Sequence, residues 1–382
     1  MWAKFKLACL IVFVAVFVLA GTVPAGDKEA KPRARQAGLK FGILKPGALN
    51  AISDVAGVKV GHLTLIEGIE VRTGVTAILP HGGNLFLEKV PAAAHVANGF
   101  GKLAGYTQLR ELGEIESPIL LTNTLSVGAV LEGGVKYMLA LPGNEKVRSV
   151  NIVVGECNDG YLSDIRGLHV RPRHAIKAIE NAKSGAVSEG CVGAGTGTLC
   201  HGFKGGIGTS SRVLSKTRGG YTVGVLVQTN FGRDLHIEGV PVGRLLKNHA
   251  LNAKPDEIAG GSRMIVVATD APLDSRNLKR LAARAMLGFG KTGGVSSNGS
   301  GDYVIAFSTA KTLRIKHGSG FTGGKVLANN KMTPLFQAVI DATQEAIINS
   351  LFAARTTTGF KGHKARALPV ERAMEVIRQW GR

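Results

Sequence analysis

Between residues 73 and 309 the chain keeps returning to short, unbroken apolar runs: TGVTAILP (73–80), SPILLT (117–122), VNIVVGE (150–156), YTVGVLVQTN (221–230), MIVVAT (264–269) and YVIAFST (303–309). A strand with one wet face alternates apolar and polar residues, whereas a strand covered on both faces reads as a continuous run. These runs therefore predict buried strands, and such strands need cover on each side. Helical periodicity supplies it. Leu278, Leu281, Ala282, Ala285 and Met286 recur at the spacing of one helix face, with Ser275 as the expected cap and Gly288 just past the end. Thr333 and Pro334 open another helix, whose stripe of Leu335, Val339, Ala342 and Ala346 runs to about Ala353, and a last one follows Pro369 from Val370 to Trp380. Helix-covered strands, with 52 glycines available for tight joints, predict an α/β layered architecture.

Met1 to Ala25 is read apart from this fold. Lys4 and Lys6 precede an apolar run from Leu7 to Ala20, and Val23 and Ala25 in GTVPAG fit a signal-peptidase site. The run falls short of the ~20 residues of a bilayer span, so it predicts a secretory signal and an exported, periplasmic or secreted protein. Residues 26–38, with DKEAKPRARQAG, read as a disordered lead-in. From 39 to 382 no Pro/Ser-rich linker or internal repeat divides the chain, which predicts one domain.

A formal net charge of +20 makes the chain strongly basic, which favours weak attraction to anionic envelope polymers. The charges are dispersed, and only 5% of residues are aromatic. Stacking platforms are therefore scarce, and no specific nucleic-acid partner is expected. Cys157, Cys191 and Cys200 form no CxxC pair, and export permits at most one disulfide among them. The ten histidines are scattered; the nearest approach to a cluster, His169 and His174 in HVRPRH, lacks zinc spacing. No metal and no other cofactor is expected.

Two glycine-rich segments invite a nucleotide reading. AMLGFGKT (285–292) fits a relaxed phosphate-loop pattern with Lys291 as its lysine. The order here is helix, loop, strand, whereas a phosphate loop needs strand, loop, helix so that amide groups converge on the phosphates. GAGTGTLCHGFKGGIGTSSR (193–212) is too glycine-dense for an ordinary loop; its spacing predicts a structural segment that also lines a site.

In DEIAGGSRMIVVATDAPL (256–273) two glycines deliver Ser262 to the mouth of the most core-like run, with Arg263 beside it. A loop ending accounts for Gly and Ser. A second account comes from the segments taken together. SPILLTNT, GFKGGIGTSSR, VGVLVQTNFG, GGSRMIVVATDAPL and GSGDYVIAFST stand here in the order and form of the DmpA-type self-processing serine aminopeptidases, which the chain resembles from about Leu39 to Arg382. That family includes D-aminopeptidases and β-peptidyl aminopeptidases.

The resemblance implies a four-layer αββα sandwich, shared with glutamate N-acetyltransferases, and a homo-oligomer of four or more subunits. It also implies cleavage between Gly261 and Ser262 into chains 26–261 and 262–382. A serine is a weak nucleophile without a base, and the cut supplies one, the α-amine of Ser262, with an unperturbed pKa of about 7.7 to 8.0. Gly260 and Gly261 are expected to allow the strained turn that the cut requires. Asn230 matches the asparagine whose amide faces the oxyanion, and Ser300 and Asp302 match the pair that orients the new amine. One position departs: GECNDGYLSD has Asn158 where such enzymes carry a tyrosine between Glu156 and Asp159. Glu156 is the expected anchor of the substrate's ammonium, with Asp159 in reserve, and the contact at Asn158 is in doubt.

The function implied is an exported aminopeptidase acting on short peptides or amino-acid amides, with L-, D- or β-preference open. Two rivals are an acyltransferase of the same architecture and a non-catalytic, basic envelope-binding protein. Ser262 in place of threonine counts against the first, and the joint presence of Ser262, Asn230, Ser300 and Asp302 counts against the second.

Overall fold

A computed structural model describes residues 31–247, 261–321 and 323–381; the signal segment, the start of the lead-in and Gly260 lie outside them. The main strands are β1 Lys59–Glu67, β2 Val71–Leu79, β3 Glu88–Gly99, β4 Ile119–Asn123, β5 Val153–Cys157, β6 Ile207–Val213, β7 Thr222–Asn230, β8 Ser262–Thr269 and β9 Gly301–Ser308. The main helices are α1 Val127–Leu139, α2 Pro172–Glu180, α3 Ser275–Gly290, α4 Thr333–Ala353 and α5 Val370–Gln379. One sheet has the order β1-β2-β4-β5, closed by the short strand Leu103–Ala104; the other runs β6-β7-β8-β9-β3 and ends on Ile315–Lys316. β8 is antiparallel to β7 and parallel to β9.

The unbroken runs are explained by what lies on each side of them. Along β8, Met264, Val266 and Ala268 join Ile119, Leu121 and Val153 of the facing sheet in one apolar layer. Ile265 and Val267 join Leu278 and Leu281 of α3 and Val339 and Ala342 of α4 in another. On the far side of the first sheet, Val75, Leu120 and Val154 pack under α1 and α2 through Val130, Met138, Ala175 and Ile179. Helix, sheet, sheet and helix stack in that order, which is the αββα sandwich.

Three local expectations are corrected. Residues 32–38 are packed rather than disordered. Ala34 is fully buried and donates its N–H to Asn349 Oδ1 (3.1 Å), Arg33 pairs with Glu189 (2.7 Å), and Arg35 pairs with Glu345 (2.8 Å). The arginines that gave this stretch its disordered composition serve buried acids: Arg33 compensates Glu189, and Arg35 shares Glu345 with Arg212. The cap of α3 is Asp274, whose side chain accepts Asn277 N–H (2.8 Å). Finally, Gly288 lies inside α3, because a Cβ there would stand 2.3 Å from Ile340 O of α4; it lets two helices touch instead of ending one.

β6 gives no apolar signal because Thr209, Ser210, Ser211 and Arg212 are buried on polar partners. Asn50 Oδ1 accepts from Ser210 Oγ and Ser211 N–H, and Glu345 takes the Arg212 guanidinium at 2.7 Å.

Candidate active site

Ser262 opens β8 in the middle of the second sheet, with Asn230 of β7 as its register partner on one side and Gly301 of β9 on the other. Directly paired residues project to the same face of a sheet, so Ser262 and Asn230 both face the layer between the sheets. Ser262 is 7% exposed. Its Oγ accepts the Gly301 N–H at 3.3 Å, and no imidazole or carboxylate of the described residues bonds to it.

Asn230 Oδ1 accepts the Leu199 N–H at 3.1 Å. That bond fixes the orientation of the amide and leaves the Nδ2 donors unengaged by described residues. Leu199 belongs to the 193–212 glycine-rich segment, which clasps Phe231 through Phe231 N–H to Leu199 O (3.1 Å) and His201 N–H to Phe231 O (2.7 Å). The segment thus lines the site by holding its asparagine.

On the opposite face of the same strands lie Arg263 and Asp302, also register partners and both buried. Arg263 Nε donates to Asp302 Oδ1 at 2.8 Å, and Nη2 pairs with Oδ2. Ser300 Oγ stands 2.7 Å from Asp302 Oδ2 and 2.7 Å from Ser297 O. The guanidinium lies 3.5 Å over the Phe289 ring. Gly261, Arg263, Ser297 and Ser300 help to line a cavity of about 10 Å³, room for one water at most. Gly261 stands where a Cβ would lie 2.6 Å from Phe231 Cα, so close backbone approach calls for glycine here.

Glu156, at the end of β5, reaches the same region from the facing sheet. Its Oε1 accepts Lys102 N–H (3.1 Å), its Oε2 accepts the Thr124 hydroxyl, and Lys102 Nζ lies 4.0 Å away. A Cβ on Gly101 would be 3.0 Å from Gly301 Cα and 3.1 Å from Glu156 Oε1, so only one glycine backbone separates this carboxylate from the partner of Ser262. Asn158 does not join them: it is exposed and its Oδ1 accepts Gly160 N–H (2.8 Å). Tyr161 stacks on His363, with centroids 4.6 Å apart. The aromatic hydroxyl nearest the group is Tyr303 of β9, buried and donating to Gly99 O (3.2 Å), with its phenol pKa raised by burial, then by Glu156 and Asp302. Arg263 and Tyr303 are the residues that sequence reasoning left without a role, although both stand inside the motifs GGSR and GSGDY.

Asp159 is buried beside Thr73, Asn123 and Gly197, and neither of its oxygens completes a hydrogen bond. Burial pushes its carboxyl up to about 7, against weaker opposing pulls from Thr73 and Asn123. Because the folded pKa lies above the unfolded value of 3.8, the folded state binds the extra proton. The group's contribution to stability therefore falls as pH rises from about 4 to about 7. Asp159→Asn is expected to be more stable than wild type at pH 8, by up to about 4 kcal/mol, and little different at pH 4. Denaturant unfolding at the two pH values checks this; an equal change at both would refute it.

Among the described residues Cys157, Cys191 and Cys200 are free, with Cys157 and Cys200 buried. Among the described residues no group of His, Cys, Asp or Glu is placed to hold a metal.

Residues 50–365 match peptidase family S58. This chain belongs to that family. As an S58 member it is a serine aminopeptidase of the N-terminal-nucleophile type. It is similar to beta-peptidyl aminopeptidase BapA of Sphingosinicella microcystinivorans, 42% identical over 391 residues that cover 96% of this chain and 97% of that protein. A Burkholderia sp. beta-aminopeptidase superposes with a TM-score of 0.85 at 39% identity, covering 92% of this chain and 99% of that one. The L-aminopeptidase D-Ala-esterase/amidase of Ochrobactrum anthropi, a prototype of the serine aminopeptidases and a variant of the Ntn hydrolase fold, superposes with the same TM-score at 37% identity, again covering 92% and 99%.

Proposed function

We propose that this S58 peptidase is exported, cuts itself between Gly261 and Ser262, and then removes N-terminal residues from short peptides and amino-acid amides. The observation that carries the reading is the isolation of Ser262. Its Oγ touches no side-chain base among the described residues, so a serine that acts as nucleophile here needs another proton acceptor, and its own α-amine is the one that cleavage creates.

In self-processing, Ser262 Oγ adds to the Gly261 carbonyl carbon, the peptide C–N bond breaks, and the proton given up by Oγ ends on the leaving nitrogen, which becomes the new neutral amine. Water then hydrolyses the ester to the Gly261 carboxylate. In catalysis the neutral amine takes the Oγ proton as Oγ attacks the substrate carbonyl. The Asn230 Nδ2 donors face the developing oxyanion, and the amine returns its proton to the leaving group. Water releases the acyl-enzyme by the same steps. Ser300, tied to Asp302, orients the amine, and Glu156 receives the substrate's ammonium, which needs a negative partner in an enclosed site. A carboxylate offers about four lone-pair positions, so the bonds from Thr124 and Lys102 leave Glu156 room for one more donor. Substrates with an N-terminal β-residue come first, because the similar proteins at 42% and 39% identity carry that activity in their names. Self-association belongs to the same reading, and the molecular mass in solution tests it.

The decisive comparison is a β-alanyl dipeptide amide against its N-acetylated form, with and without EDTA, for wild type and Glu156→Gln. The free amine is expected to be required, the chelator to have no effect, and the rate to climb from about pH 6.5 to 8.5 as the amine loses its proton. Glu156→Gln is expected to weaken the preference for the free amine. Equal hydrolysis of the acetylated compound, or inhibition by EDTA that zinc reverses, would overturn the assignment.

A further inference from the structure

The sequence and the family reading leave Arg263 without a task, yet it is the most constrained cation near the nucleophile. Its side chain is 1% exposed, its plane is packed on Phe289 with Phe231 at 5.2 Å, and its Nε and Nη2 grip both oxygens of Asp302. Burying an ion pair is rarely a net gain in stability over an apolar pair, so this one invites a functional account. Its position supplies one. Ser300 and Gly261 border the same small cavity as Arg263, and Ser300 Oγ is bonded to Asp302. The amine created when the 261–262 bond breaks therefore emerges at the Ser300 end of a chain that runs from Ser300 to Asp302 to Arg263.

Resting on the self-processing reading above, we propose that Arg263 is the positioning residue of the Ser262 amine. By holding Asp302 as a neutralised pair, it prevents a bare carboxylate from capturing that amine as an ammonium, so the amine is free to act as base near neutral pH.

The other described groups facing this end do not take over that task. From β9, Tyr303 is a neutral phenol, its pKa raised by burial. From β5, Cys157 is a thiol pushed up by burial, and Cys200 of the glycine-rich segment is likewise raised. His201 is neutral, pushed down to about 4 by burial. Lys204 is buried on the carbonyls of Gly195 and Gly205, and Arg233 lines the cavity, but among the described residues the ion-pair partner of Asp302 is Arg263. The remaining anions are Glu156, across the Gly101 backbone, with Lys102 at 4.0 Å as its own counter-ion, and Asp234, which is paired with Arg244 at 2.5 Å and with His236 at 3.1 Å. Removing the Arg263 charge would leave Asp302 uncompensated, and an anion close to an ammonium raises its pKa by about one unit or more.

Arg263→Gln, which keeps a planar donor without the charge, and Arg263→Lys, which keeps the charge without the fork, separate charge from packing. For each protein, intact mass first establishes cleavage. The pH dependence of kcat/KM, normalised to its own plateau, is then compared with acetic anhydride labelling of the Ser262 amine. In Arg263→Gln both midpoints are expected to move up by about one pH unit, which makes the normalised rate about tenfold lower at pH 6.5. In Arg263→Lys both are expected to stay within about 0.3 unit of wild type. A cleaved Gln variant with unmoved midpoints, or a Lys variant moved as far as the Gln variant, would overturn the role of Arg263 while leaving self-processing intact. Should the Gln variant stay uncut or unfolded, the Lys variant decides: a midpoint displaced by a unit despite the retained charge overturns the proposal, and an unmoved one upholds it. An uncut, active wild type would instead remove the amine, and with it the reading beneath.

Discussion

Ser262→Ala protein is expected to migrate as one uncut chain and to lose about six orders of magnitude in turnover, the scale seen when a serine nucleophile is deleted elsewhere. Wild type is expected as two chains, ending at Gly261 and beginning at Ser262. Under the proposed mechanism the substitution removes the attacking atom of both reactions and little else. Ser262 is small and nearly buried, and its Oγ accepts one long bond from Gly301 N–H at 3.3 Å, so the loss in stability should be about 1 kcal/mol or less. Intact mass and a thermal melt separate the two effects. A wild type that stays in one piece while hydrolysing peptides would exclude the α-amine as base.

Asn230→Ala is expected to fold, to keep KM close to wild type, and to lose about 10²- to 10³-fold in kcat through the missing oxyanion donor. The structure adds a control. Because Oδ1 holds the Leu199 N–H, the alanine also strands a backbone donor of the glycine-rich segment, at about 1 kcal/mol in stability. Asn230→Asp keeps that acceptor, removes the Nδ2 donors and places a negative charge at the proposed oxyanion position. It should therefore be as stable as wild type yet at least as inactive as the alanine. The proposed self-cleavage passes through a similar oxyanion and is expected to slow in both variants, so turnover is measured per cleaved site. Normal turnover in cleaved Asn230→Ala would remove this residue from catalysis.

Much of the architecture was legible in the sequence because burial on both faces leaves a local mark. The run from Met264 to Ala268 is apolar at every position since alternate residues serve different layers, and α4 follows its periodic stripe from Thr333 to Ala353 as read. What leaves no such mark was missed. β6 is buried on Ser, Thr and Arg side chains whose partners, Asn50 and Glu345, lie more than a hundred residues away in sequence. Residues 32–38 have the composition of a solvated tail, and partners distant in sequence, Glu189, Glu345 and Asn349 among them, make them part of the body.

The candidate site divides along the same line. Ser262 after paired glycines, Asn230 at the end of an apolar run and Asp302 at the start of another could each be marked from the sequence, because their places at strand ends are local facts. That Asp302 is held by Arg263 is not local: the two are 39 positions apart and meet only because β8 and β9 pair in parallel at that register. The same holds for the reason Gly261 is glycine, which is the backbone of Phe231 crossing beside it, and for Asn158, whose side chain folds back on its own turn. Sequence determined which strands are buried and where Ser262 stands among them, since transfer from water depends on each residue's own surface. The tertiary structure alone decided which charges neutralise one another around that serine, since an ion pair depends on distance and orientation, which strand register fixes.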